Sequence, residues 1–143
     1  MTYNYSKTTR FKFDAAVSRV TRALKEESFG ILTEIDIKDT LKKKLDVDFR
    51  NYRILGACNP PFAYKALQAE DKVGMMFPCN VIVQETPNGD VEIAAIDPIA
   101  SMKAIDNPEL QKIAETIGIK LKKQSKTHDS KLKIAFYGIQ NRI

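Results

Sequence analysis

The sequence predicts an α+β fold in which an antiparallel or mixed sheet carries helices on one face, in the order β-α-β-α-β-α-β-β-α. Three observations predict it. Segments of period two alternate with segments of helical period along most of the chain. Two β-branched runs, Val81 to Glu85 and Val91 to Ile96, follow each other through the turn sequence Pro87-Asn88-Gly89-Asp90. No glycine-rich phosphate loop joins a strand to a helix, so a nucleotide-binding parallel sheet has little support.

The elements follow in order. Tyr3, Tyr5, Lys7, Thr9 and Phe11 alternate with other residues, as in an opening strand. Asp14 is placed to cap the next helix, because its carboxylate can accept from a free backbone N–H of the first turn. Phe13, Val17, Val20 and Leu24 recur at spacings of 4, 3 and 4, which gathers them on one face. Gly30 is placed to end that helix.

Ile31 to Ile35 reads as a short strand, and Asp36 as the cap of a brief helix whose Ile37, Leu41 and Leu45 are four apart, leaving Lys42-Lys43-Lys44 in water. Tyr52 to Ala57 forms a third strand. Pro61 to Ala69 is helical in pattern, with Phe62, Ala63, Ala66 and Leu67 toward the core. In the hairpin, Asn88-Gly89 supplies the positive φ angles of a tight turn. A last helix opens at Asn107-Pro108-Glu109: asparagine caps, proline takes the first helical position where its missing N–H costs nothing, and glutamate favours the positive end of the dipole. Leu110, Ile113, Ala114 and Ile117 make its buried face, and Gly118 ends it.

With 143 residues, 43% of them apolar, the chain is long enough for one core and short for two domains. A single domain is expected over residues 1–121, followed by a basic C-terminal extension, 122–143. Residues 1–121 hold 17 Lys or Arg and 17 Asp or Glu, so the net charge of +5 resides wholly in that extension. A neutral domain lacks the basic surface that phosphate contact requires, and nucleic acid is not an expected partner. Apolar runs fall far below the roughly 20 residues that span a bilayer, and the N-terminus lacks the order of a secretion signal. A soluble, cytoplasmic protein with no membrane partner is expected. Two cysteines make neither a disulfide framework nor a zinc set, and the one histidine, His128, lies in the extension. No metal is expected, and no cofactor can be named.

The chemistry-bearing feature is a repeated Cys-Asn pair. ILGACNPPFAYKAL places Cys58 before Asn59-Pro60, and MMFPCNVIV repeats the pair as Cys79-Asn80. With Asn59 as cap and Pro60 as first helical residue, Cys58 stands at the mouth of a helix, where free N–H groups and the dipole favour an anion. Cys79 can approach the same place if its strand lies beside the one ending at Cys58. The alternative is that both are small core residues, a common fate of free cysteine.

These motifs, with the hairpin and the Asp97-Pro98 segment, resemble the domain of unknown function 302 family over roughly residues 1–121. The resemblance implies a curved antiparallel sheet similar to the TATA-box-binding-protein-like fold and assembly as a homodimer. It implies neither DNA binding nor any named activity. Carried over by motif, Cys58, Asn59, Pro60, Cys79 and Asn80 are the candidate site. With Met76 they would bind a small anionic or apolar ligand, Met75, Met76 and Phe77 forming an adaptable apolar wall. The competing expectation is thiol chemistry, with Cys58 as nucleophile or redox group and Cys79 as partner. Ile99, Met102 and Ile105 are the residues expected to serve a dimer contact.

Overall fold

The computed structural model describes residues 3–26 and 28–112. Five strands, β1 (Asn4–Thr9), β2 (Gly30–Asp36), β3 (Tyr52–Cys58), β4 (Cys79–Glu85) and β5 (Val91–Ile96), form one sheet in the order β1-β5-β4-β3-β2. Every pairing is antiparallel. Helices α1 (Phe13–Glu26), α2 (Ile37–Leu45), α3 (Pro60–Ala69) and α4 (Pro98–Met102) connect or follow the strands. A 3₁₀ turn, Asp71–Met76, separates α3 from β4, and a further helical segment opens at 108–112. The ends of the chain read above as the rest of the last helix and the basic extension lie outside the described residues.

The main core forms between α1 and one face of the sheet. Phe13, Ala16, Val17, Val20, Ala23 and Leu24 are the buried residues of α1, recurring three and four apart. They meet Leu55 and Ala57 of β3, Val81 and Val83 of β4, and Val91, Ile93 and Ala95 of β5. The strand residues are alternate ones, as the pleat requires. Full burial of a valine or leucine such as Val20 or Leu24 stabilises the fold by roughly 1.5–3 kcal/mol before entropic costs. A second, smaller core joins Ala66 of α3, Val73, Met102 and Leu110, with Phe62, Phe77 and Ile105 packed against it.

Several local expectations are revised. Asp14 lies within the first turn of α1 and does not cap it; the first helical carbonyl acceptor is Lys12, which receives the Ala16 N–H. Gly30 does not end α1: the chain turns earlier, at Ser28 with φ 66°, and Gly30 already pairs with Cys58 in the sheet. Leu67 is 44% exposed, so α3 buries fewer residues than its pattern suggests. Met102 is 1% exposed and Ile105 is half-buried, both spent on the second core. Met102 therefore has no surface left for the dimer contact expected of it.

The hairpin forms with a different turn. Only Gly89 has positive φ, at 89°, and its N–H donates to the Thr86 carbonyl while the Thr86 N–H donates to that of Asp90. This is a three-residue loop, Pro87-Asn88-Gly89, closed by a left-handed glycine. Proline holds φ near −65°, which suits the first central position of a type I turn.

Gly56 has the closest surroundings of the described glycines. A Cβ placed there would overlap the Thr33 hydroxyl and the Pro78 ring. Both obstacles are stiff, one β-branched and one cyclic, so neither can swing aside. The Gly56→Ala variant is expected to lose about 1–3 kcal/mol of stability by overpacking, measured by urea unfolding, with the deficit reduced when Thr33→Ser or Thr33→Ala is added.

Candidate functional site

Capping side chains fix where α2, α3 and the last helical segment start. Asp36 accepts the Asp39 N–H at 3.0 Å and opens α2. Asn59 does the same for α3, its side chain accepting from the Phe62 N–H at 3.5 Å and its carbonyl from the Ala63 N–H at 3.0 Å. Asn107 accepts the N–H groups of Glu109 and Leu110 at 3.0 and 3.1 Å. Its amide also donates to the Ala69 carbonyl and to Glu70, at 2.9 and 2.8 Å, which ties the last helical segment to the end of α3. That second use was not visible in the Asn-Pro-Glu motif, because it depends on which helix end lies nearby.

β3 delivers Cys58 to the mouth of α3 with Asn59 directly after it. Register then divides the two Cys-Asn pairs. Cys79 is paired with Ala57, and Asn80 with Gly56. Because successive side chains of a strand alternate between faces, Cys79 shares the α1 face with Ala57, whereas Asn80 and Cys58 belong to the opposite face. Pro78, joined to Phe77 by a cis peptide bond, covers Gly56 on the latter face together with Thr33 of β2. Thus Cys58, Asn59, Pro60 and Asn80 gather at one end of the sheet, while Cys79 stands near them but across the pleat.

Both cysteines are free and half-buried. Burial pushes the Cys79 thiol up to about 11, and the neighbouring Cys58 adds to the shift. Cys79 is therefore a neutral thiol throughout the physiological range, a weak donor and acceptor and a poor nucleophile. Met76 is 37% exposed and Met75 80%, while Phe77 turns back to the second core.

A separate polar centre lies between α1 and the β2 edge. Arg53 donates from its Nη atoms to Glu34 at 2.7 Å and Asp36 at 3.5 Å, and its guanidinium lies 5.5 Å from the centre of the Phe13 ring. Its buried Nε has no hydrogen-bond partner. The signal in the sequence was a lone arginine inside the apolar run Tyr52-Arg53-Ile54-Leu55, opposite two carboxylates two residues apart. A polar cleft of about 540 Å³ opens beside it. Among the described residues no group of His, Cys, Asp and Glu could hold a metal ion, and no helix is long and apolar enough to cross a membrane.

Residues 5–127 match the family described as domain of unknown function DUF302. The match runs into the segment read above as an extension. Three chains of solved structures match as well. One is the crystal structure of an uncharacterised conserved DUF302 protein from Bacillus stearothermophilus, 25% identical, with a TM-score of 0.76, covering 95% of this chain and 97% of that one. No curated protein matches.

The raised Cys79 pKa makes stability depend on pH. An acid whose folded pKa exceeds its unfolded value binds its proton more tightly in the folded state, so stability is intact below the ordinary thiol pKa and is lost as pH rises toward 11. Urea unfolding is expected to show a loss on the order of 2–3 kcal/mol across that alkaline window, and the Cys79→Ala variant is expected to flatten this slope.

Proposed function

The chain belongs to the DUF302 family, and from that premise we propose that it is a small homodimeric ligand-binding domain whose site is the face bearing Cys58, Asn59, Pro60 and Asn80. The observation that carries this reading is the sharing of one sheet face by Cys58 and Asn80, at the start of α3. Pro60 and Pro61 carry no N–H, and the Phe62 and Ala63 N–H groups already bond Asn59, so the start of α3 favours the anionic end of a ligand through its dipole alone. Asn80 is exposed and can add a donor and an acceptor. The exposed Met75 and Met76 provide an apolar surface that adapts to shape. Cys79, a neutral thiol on the opposite face, stands outside the site, which favours binding over thiol exchange.

Labelling of Cys58 by iodoacetamide tests the site. Phosphate and octanoate, representing an anion and an anion with an apolar tail, are expected to include at least one compound that slows Cys58 labelling severalfold and raises the melting temperature. Asn80→Ala is expected to abolish the protection. A Cys58 that no compound protects, or that labels only on unfolding, contradicts the reading.

Homodimerisation belongs to the same reading. With Met102 buried in the second core, one exposed apolar surface lies on α3 and the turn after it, where Tyr64, Leu67 and Met75 are 65%, 44% and 80% exposed, and another around β2 and α2 at Leu32, Ile35, Leu45 and Val47; the first, beside the site, is the dimer contact of this reading. Light scattering at micromolar concentration is expected to give twice the chain mass, and Leu67→Glu the single mass. A monomer in both cases removes the dimer.

A further inference from the structure

We propose that the cleft between α1 and β2–β3 is a second site, for a small zwitterion of the short-peptide type. It does not depend on the Cys58 site, from which it is separated by lining residues and by face. Its walls carry both signs of charge, and Val17 is the one apolar residue among those that line it.

The charges are ordered along the cleft. Asp14, Ser18, Arg22 and Lys25 recur four, four and three apart, which lines them up on one stripe of α1 from its N-terminal to its C-terminal end. Asp14 and Arg22 are about 12 Å apart along the axis at 1.5 Å per residue. Long helical side chains lean toward the N-terminus, which brings the Arg22 guanidinium back toward Ser18 and shortens that span. The opposite wall is Glu34 and Arg53.

Arg53 is already committed, since Glu34 and Asp36 both accept from it and Phe13 lies against it. Thr21 donates its hydroxyl to the Val17 carbonyl. Among the described residues no carboxylate pairs with Arg22 or Lys25. Two uncommitted cations therefore define one end, and Asp14, with the remaining acceptor capacity of Glu34, the other. A simple anion meets the two carboxylates, and a simple cation meets Arg22 and Lys25. A ligand whose ammonium and carboxylate stand at the two ends of a short peptide, about 3.3–3.6 Å per residue when extended, satisfies both ends.

The test is an NMR titration of the full chain with three probes up to about 20 mM, a range that reads millimolar affinities. Triglycine is the zwitterion, N-acetyldiglycine the anion and diglycinamide the cation. Triglycine is expected to give saturable shifts at residues 14–25, 34 and 53, with the two single-charge probes at least about tenfold weaker. Arg22→Gln and Asp14→Asn, both at exposed positions, are each expected to weaken triglycine severalfold without changing the urea midpoint. Equal binding of N-acetyldiglycine and triglycine overturns the proposal, as do the absence of saturable shifts and shifts confined to Cys58–Asn80. The last outcome leaves the Cys58 site standing; loss of Cys58 protection leaves this one standing.

Discussion

The close approach of Pro78 and Thr33 to Gly56 is the constraint on which the end of the sheet bearing the two Cys-Asn pairs depends. Three strands meet there, and only a residue without a Cβ lets the proline ring and the hydroxyl occupy the same face of β3. The contact coincides with the register that pairs Asn80 with Gly56 and Cys79 with Ala57. A slip of one residue would exchange the faces of every β4 side chain. Val81 and Val83 would leave the core, so the burial of those two residues and the fit at Gly56 specify the same pairing.

From that register the chemistry divides. Cys79 is carried to the α1 face, where desolvation disfavours its thiolate and leaves a neutral, poorly nucleophilic group. Cys58 is carried to the other face and delivered to a capped helix start. Two cysteines that look equivalent in sequence thus have different environments, and the difference follows from the pleat. The second core depends on a comparable economy of groups: Asn107 caps its own helix through its oxygen and fastens the end of α3 through its nitrogen.

Much of the fold was legible because it rests on period. The α1 stripe and the alternation of β5 are written residue by residue, and Asp36, Asn59 and Asn107 each cap the helix they precede. Asp14 misled because a carboxylate is favourable both at a cap and within the first turn. Leu67 and Met102 misled because α3 and α4 pack in a second core whose geometry depends on distant contacts. The site was legible as a list of residues but not as an arrangement, since which cysteine faces which way depends on strand pairing. Arg53 was passed over although a charge amid apolar strand residues asks for partners, which Glu34 and Asp36 supply.

The division of the two cysteines across the sheet is the central claim, and mild oxidation of the folded protein tests it directly. Copper-phenanthroline treatment followed by peptide mass spectrometry under non-reducing conditions is predicted to give no Cys58–Cys79 disulfide while the fold is retained. Quantitative formation of that bond with an unchanged circular dichroism spectrum would contradict the account, because it would place both sulfurs on one face.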